Sequence, residues 1–103
     1  GGLGGGISYS RRLVTSHATA STSDTLIGIS ASAPLSLQLP SADGYSSGQY
    51  FIIKDEGGNC NINNISVFAS GSQTIDGVSV ILLESPFASI NLYTNGIDKF
   101  FIY

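Results

Sequence analysis

"GQYFIIKDEGGNCNINNISVF", residues 48–68, holds two apolar runs on either side of a charged segment that contains glycine. In the first run, Tyr-Phe-Ile-Ile, apolar residues occupy both alternating positions, which is typical of a strand covered on both faces. Gly57 and Gly58 supply the positive φ angles that tight turns require. The stretch therefore predicts two strands joined as a hairpin, with Lys54 and Asp55 where the first strand enters the turn.

Similar short alternating runs occur along the rest of the chain, and no run has the 3.6-residue period of a helix. The dipeptide Asn95-Gly96 predicts a second hairpin, which joins the last two runs. Short strands separated by turn signals about every ten residues predict an all-β fold, either an antiparallel β-sandwich or a jelly-roll of about eight strands. The predicted strands lie at 7–21, 24–32, 35–39, 49–54, 62–69, 78–84, 89–94 and 99–103.

The chain length of 103 residues fits one domain. The opening "GGLGGG", residues 1–6, is predicted to be a flexible linker because glycine loses the most conformational entropy on ordering. It represents either a hinge after an upstream region or a remnant of cloning. Residues 7–103 form the predicted single β-domain.

Charged residues make up only 11 % of the chain, against roughly 25 % in an ordinary soluble domain, while apolar residues make up 42 %. So little charge predicts that part of the apolar surface is buried between subunits. With four basic residues and a net charge of −3, the chain lacks the basic patch that nucleic-acid binding requires. No apolar run reaches the roughly 20 residues needed to span a bilayer, so no membrane insertion is expected.

Residues for catalysis or metal binding are few. His17 is the single histidine and Cys60 the single cysteine, so one chain cannot build a zinc site or an internal disulfide. A histidine ring on the axis of a trimer is an open alternative. Six of the seven acids lie in or beside predicted turns, where such side chains usually bond to nearby backbone. We predict no enzymatic activity, no metal and no cofactor; glycan degradation by paired acids is the weaker alternative. The six acids are Asp24, Asp43, Asp55, Glu56, Asp76 and Asp98.

A binding surface is predicted in the loop "DGYSSG", residues 43–48. Tyrosine provides amphipathic contact area, and serine and aspartate provide hydrogen bonds, a mixture that suits carbohydrate or protein ligands. The candidate ligand-binding residues are Asp43, Tyr45, Ser46 and Ser47. The alternative is that Tyr45 closes the edge of its own sheet.

A set of short motifs follows in a fixed order over residues 39–103. Together they resemble a C-terminal module that recurs in bacteriophage tail fibres and tailspikes. Cys60, where that family often has a small residue, and Phe100 or Phe101, where it often has tryptophan, are the departures. The motifs are Leu39-Pro40, Ile53-Lys54-Asp55, Gly58-Asn59, Asn64-Ile65, Ile75-Asp76-Gly77, Phe87-Ala88-Ser89 and Asn95-Gly96.

The resemblance implies a homotrimeric β-domain at the distal end of a tail fibre or tailspike. Such a domain binds a host polysaccharide or outer-membrane protein, or serves only as a trimerisation cap. The protein is then expected in the virion tail after synthesis in the bacterial cytoplasm. Lys54, Asp55, Asp76 and Gly77 form an expected structural turn signature. In it, Asp55 bonds to the turn backbone and Lys54 pairs with Asp76 or another acid.

Overall fold

The computed structural model describes residues 9–103, so the predicted linker at 1–6 lies outside the described residues. Ten strands form two β-sheets, which confirms the all-β class, and Ala42–Gly44 form one short 3-10 turn. No helix in the described part of the chain is long and apolar enough to cross a membrane. The strands are β1 Arg11–Val14, β2 Ala18–Thr19, β3 Leu26–Ile29, β4 Leu35–Gln38, β5 Tyr50–Asp55, β6 Ile65–Phe68, β7 Thr74–Ile75, β8 Val80–Leu83, β9 Ser89–Thr94 and β10 Lys99–Ile102.

The two sheets differ in size. The larger sheet has six strands in the order β1-β3-β5-β9-β10-β7, and the smaller sheet has four in the order β2-β4-β6-β8. From β1 to β6 the chain alternates between the sheets. Within each sheet these strands pair in parallel: β3 lies between β1 and β5 in the larger sheet, and β4 lies between β2 and β6 in the smaller one. This part of the molecule is therefore three stacked coils, each with one strand in either sheet.

The prediction of an antiparallel sheet is wrong for these coils. The stretch 48–68 is not a hairpin, because β5 pairs with β3 and β9, whereas β6 pairs with β4 and β8. Residues 56–64 instead form a corner that carries the chain from the larger sheet to the smaller one. A glycine-containing turn permits either outcome, and the choice depends on which distant strand is available for pairing.

The C-terminal part is mainly antiparallel. Strand β8 pairs with β6, β9 with β5, and β10 with β9, while short β7 runs parallel to β10. The hairpin predicted at Asn95-Gly96 is confirmed, with Phe100 opposite Thr94. The side-chain oxygen of Asn95 accepts the N–H groups of Ile97, Asp98 and Lys99, which fixes the turn.

The core lies between the sheets and follows the two-residue period of the strands. In β4, Leu35 and Leu37 are buried, while Ser36 and Gln38 face outward. One end of the core is aromatic: the rings of Tyr45 and Phe51 stack at 5.4 Å between centroids, and Phe100 meets both edge-on. Each large apolar side chain buried in this way contributes roughly 1.5–3 kcal/mol.

Candidate functional site

Aromatic side chains cluster on the outer surface of the larger sheet. In the strand register, Tyr50 of β5 lies opposite Tyr93 of β9, and Tyr93 lies opposite Phe101 of β10. The ring of Tyr93 is 5.2 Å from that of Phe101 and 5.7 Å from that of Tyr103. Tyr9 lies beside the cluster, where it lines a cavity together with Tyr50. We call this surface, made of Tyr9, Tyr50, Tyr93, Phe101 and Tyr103, the tyrosine face.

The period of two explains why these aromatic residues point outward. Each strand of the face carries a buried residue beside the outward-facing one, which is exposed at Tyr50 and Tyr93 and half-buried at Phe101: Phe51 follows Tyr50, Leu92 precedes Tyr93, and Phe100 precedes Phe101. Since neighbouring side chains alternate between faces, the second aromatic must lie on the outer side. The prediction that both faces of β5 are covered is wrong within the single chain.

The exposure of the tyrosine face is unusual for a small domain. Tyr50 is 46 % exposed, Tyr93 40 % and Tyr103 58 %. Contiguous exposed apolar surface of this kind marks interaction sites more often than single exposed residues do. The neighbouring Tyr9 raises the pKa of Tyr50 above its ordinary value, and the Tyr50 hydroxyl is protonated at neutral pH like that of an ordinary tyrosine. The face therefore offers neutral rings and hydroxyl groups to a ligand.

A polar loop borders the tyrosine face. Gly48, at φ +82°, donates its N–H to the Thr94 carbonyl at 2.8 Å, which ties the loop to β9. The Gln49 side chain accepts the N–H of Ser46 and donates to the Thr22 carbonyl, which holds the loop against the preceding coil. A shallow cavity of about 390 Å³ lies among Gly48, Tyr50, Tyr93 and Tyr103. A neighbouring one, of about 420 Å³, is lined by Tyr9, Thr25, Ser46, Ser47, Gly48, Gln49 and Tyr50.

The four predicted ligand-binding residues, Asp43, Tyr45, Ser46 and Ser47, do not lie together on one surface. Ser46 and Ser47 are exposed and line a cavity of the tyrosine face. Asp43 is exposed in the 3-10 turn, outside the residues that line either cavity. Tyr45 is a core residue, only 5 % exposed, so its assignment to ligand binding is wrong. The reason is the 3-10 turn, which buries Ala42 and delivers Tyr45 to the stack of core rings.

Tyr45 has an unusual environment for a tyrosine. Among the described residues its buried hydroxyl has no hydrogen-bond partner. Burial, assisted by the negative charge of Asp24, raises the pKa of Tyr45 well above its ordinary value. The hydroxyl is therefore a neutral, unsatisfied polar group within the core.

A second groove lies on the same outer surface, next to the tyrosine face. Its cavity of about 390 Å³ is lined by Arg11, Leu26, Ile27, Ile52, Lys54, Glu56, Ser89 and Asn91. We call it the Lys54 groove. Arg11 forms a two-point ion pair with Glu56, whose side chain lies across Gly28. A Cβ at position 28 would overlap the Glu56 carboxylate, so the Glu56 side chain would have to move away from its present position.

Asp55, on the opposite face of β5, is fully buried at the corner. Its carboxylate accepts N–H groups from Gly58 at 3.2 Å, and from Cys60 and Phe87 at 3.1 Å each. The contact with the turn backbone is the one that the sequence predicts, and Phe87 adds the loop between β8 and β9. Burial alone would raise the pKa of Asp55, but these hydrogen bonds outweigh burial and hold the pKa below its ordinary value.

The predicted ion pair between Lys54 and Asp76 is wrong. The Lys54 ammonium donates to the Phe87 carbonyl at 2.5 Å and lies 6.0 Å from the centre of its ring. Asp76 lies after β7 at the far edge of the larger sheet, where it accepts the N–H of Ile102 at 3.1 Å. Asp76 and Gly77, both at positive φ, form the two-residue turn between Ile75 and Val78.

The remaining reactive groups are engaged in structure. The Nδ1 atom of exposed His17 accepts the N–H of Ser36 at 2.9 Å. Buried Cys60 has its sulfur 2.8 Å from the Ser85 carbonyl oxygen, and burial together with Asp55 raises the pKa of the thiol. Within residues 9–103, no three histidine, cysteine or acidic residues cluster to hold a metal.

Comparisons of the sequence with protein-family models and with curated proteins find no match.

Proposed function

We propose that this chain is a non-enzymatic domain from the distal end of a bacteriophage tail fibre or tailspike, and that it attaches the virion to the host cell surface. The tyrosine face is the observation that carries the proposal. The ordered motifs of residues 39–103 supply the phage context. In this setting the protein is made in the bacterial cytoplasm and carried in the virion tail, and its ligand is a host polysaccharide or outer-membrane protein.

The chemistry of the tyrosine face suits a polyhydroxylated ligand. Tyrosine rings provide flat apolar area at little cost in conformational entropy, and their hydroxyls, with Ser46 and Ser47, provide hydrogen bonds. The three central rings project from paired strands and not from loops, so their positions are fixed before binding. A preorganised surface of this kind loses less free energy on binding than a mobile one.

The experiment that tests the proposal is competition for phage adsorption. The purified domain should block adsorption of the parent phage to its host, and the double variant Tyr50→Thr/Tyr93→Thr should block at least about tenfold less well. Threonine keeps the strand propensity of the two positions. Asp43→Ala is the matched control, since Asp43 is exposed but lies off the tyrosine face. Equal blocking by the double variant and the wild type would contradict the proposal.

A second candidate, a trimerisation cap, is favoured by a different surface. On the outer side of the smaller sheet, Phe68, Val80 and Leu82 are exposed, with Leu82 at 51 %. Strand β8 is the edge of that sheet, so one side of its backbone is unpaired within the described chain. Exposed apolar edge strands are sites where chains associate. We therefore propose a homotrimer that buries this edge, which leaves the tyrosine face accessible.

The solution mass decides whether the copies associate. Sedimentation should give the mass of three chains for the wild type and of one chain for Leu82→Lys, because a buried unpaired charge at the edge disfavours association. A monomeric wild-type domain would remove the trimer proposal. If Leu82→Lys is monomeric yet still blocks adsorption as well per chain as the wild type, receptor binding belongs to the single chain.

A further inference from the structure

The tyrosine face continues into the Lys54 groove along β5. Tyr50, Ile52 and Lys54 alternate with buried residues and so project from the same side of the strand. A strand rises about 3.4 Å per residue, so the α-carbons of Tyr50 and Lys54 are about 14 Å apart. Asn91 of β9 lies opposite Ile52 and lines the groove between them. A short oligosaccharide can therefore contact both regions at once.

Lys54 differs from the other basic residues of residues 9–103. Arg11 pairs with Glu56, Arg12 with Asp24, and Lys99 with Asp98. The Lys54 ammonium has a backbone carbonyl as its hydrogen-bond acceptor and no carboxylate within ion-pairing distance. An ammonium has three donors, so two remain for a ligand. The adjacent Asp55 carboxylate is on the opposite face of the strand and accepts three N–H groups there.

The rest of the groove adds apolar contact but little net charge. Leu26 and Ile52 contribute apolar lining, and Arg11 and Glu56 neutralise each other. The groove thus has one uncompensated positive charge in a chain of net charge −3. Because salt screens exposed charges, Lys54 attracts mainly an anionic group that lies close to it. The charge of Lys54 can therefore determine which ligand binds, even though the chain as a whole is negatively charged.

We propose that the ligand of this surface is an anionic polysaccharide, with a sugar ring on the tyrosine face and a carboxylate or phosphate at Lys54. This inference rests on the proposed function and gives its ligand class. The tyrosine rings hold the apolar side of the sugar, and Lys54 discriminates acidic from neutral polymers. Uronic acids and phosphodiester groups share this anionic chemistry, and the experiment separates them.

The test measures binding of the whole chain to immobilised bacterial polysaccharides of three kinds. These are uronic-acid polymers, the same polymers after chemical reduction of their carboxyl groups, and glycerol-phosphate polymers. The reduced polymers keep the sugar backbone and lose only the charge. Wild-type binding to at least one anionic polymer is expected to be roughly tenfold tighter than to reduced polymer, which corresponds to about 1.4 kcal/mol. Binding to the anionic polymer should also weaken as salt rises from 0.05 to about 0.5 M, because salt screens exposed charges.

Variants assign the effect to Lys54. Lys54→Gln should lose the preference for the anionic polymer, and Lys54→Arg should keep it. Lys99→Gln removes the same charge from an exposed pair and is the matched control. Lys54 also bonds to the Phe87 carbonyl, so each variant is first checked by thermal unfolding. If Lys54→Gln does not fold, the comparison of native and reduced polymers and the salt dependence with wild type decide.

The outcomes separate this inference from the proposed function. Tighter binding to uronic-acid polymers, to glycerol-phosphate polymers, or to both supports an anionic ligand and identifies the source of the charge. Equal binding to native and reduced polymers overturns the anionic ligand and leaves the attachment function standing. A wild-type domain that binds no polymer and does not block phage adsorption overturns both.

Discussion

The corner at Asp55 and the tyrosine face reverse the usual distribution of side chains. The corner buries a carboxylate completely, whereas the tyrosine face leaves its four tyrosine side chains 40–58 % exposed. The difference lies in their partners. Three N–H groups bind the carboxylate, so it connects backbone segments, while the rings of the tyrosine face contact one another and remain partly open to solvent. A buried charged group with internal partners serves stability, whereas an exposed ring is available to a ligand.

Asp55→Ala should lower the stability of the fold more than any other single substitution considered below. Removing the carboxylate leaves the N–H groups of Gly58, Cys60 and Phe87 without their acceptor, in a site that is buried at Cys60 and partly buried at the other two. Each such group costs about 1 kcal/mol or more, so the free energy of unfolding should fall by about 3 kcal/mol. Urea unfolding measures this change. Asp43→Ala, at an exposed position, is the control and should stay within about 0.5 kcal/mol of wild type.

A loss below about 1 kcal/mol in Asp55→Ala would mean that water replaces the carboxylate readily. The corner would then be a solvated turn with no structural role for its charge.

Acidification should destabilise the protein by the same mechanism, with a smaller effect at moderate pH. The pKa of Asp55 in the folded protein lies below its ordinary value of 3.8. Its contribution is therefore complete above about pH 4 to 5 and is lost as pH falls through the folded-state pKa. The pKa of Glu56 is lowered mainly by its hydrogen bond with Arg11, and that of Asp98 mainly by its hydrogen bond with Asn95. Both acids therefore change the stability with pH in the same direction as Asp55.

Melting temperature measured against pH from 7 to 2 tests the acid effect. Wild type should lose stability at the acid end of this range, and Asp55→Asn, which cannot titrate, should show a shallower decline. Parallel curves for the two proteins would assign the acid sensitivity to the exposed acids instead.

The tyrosine face should behave in the opposite way to the corner. Tyr93→Thr alone should lower the free energy of unfolding by less than about 1 kcal/mol, since the ring is partly exposed and threonine suits a strand. Its effect on blocking of phage adsorption should be larger in relative terms, at roughly fivefold to tenfold. Thermal unfolding and adsorption measured on the same sample give both values. A large loss of stability would make Tyr93 a packing residue and remove it from the binding surface.

The sequence predicted the strands better than their partners. Alternation places Leu35 and Leu37 inward, and Asn95-Gly96 correctly predicts a hairpin because its turn joins strands that are adjacent in the chain. The glycines at 57–58 fit a hairpin and a corner equally well. The decision depends on β3 and β4, which are distant in sequence, so local pattern could not distinguish parallel coils from an antiparallel sandwich.

The tyrosine face was missed for the same reason. Tyr50, Tyr93 and Phe101 become neighbours only through the register of β5, β9 and β10. One signal was present: each is next to a large apolar residue in its own strand, and alternation allows only one of the two to enter the core. The loop around Tyr45 is rich in serine and glycine, a composition that predicts an exposed binding loop. Composition alone does not show that the turn at 42–44 directs the Tyr45 ring into the core.

Tyr45→Phe removes a single oxygen atom and should change stability only slightly. The Tyr45 hydroxyl is buried like the Asp55 carboxylate but, among the described residues, lacks its partners. Because an unsatisfied buried hydroxyl carries an uncompensated desolvation cost, its removal should raise the free energy of unfolding by up to about 1 kcal/mol. Urea unfolding at an unchanged slope measures the gain, with Tyr103→Phe, at an exposed position, as the control. A loss of stability in Tyr45→Phe would show that the hydroxyl is satisfied after all, for instance by a buried water molecule. The Asp55 corner would then share its role in stability with a second buried polar site.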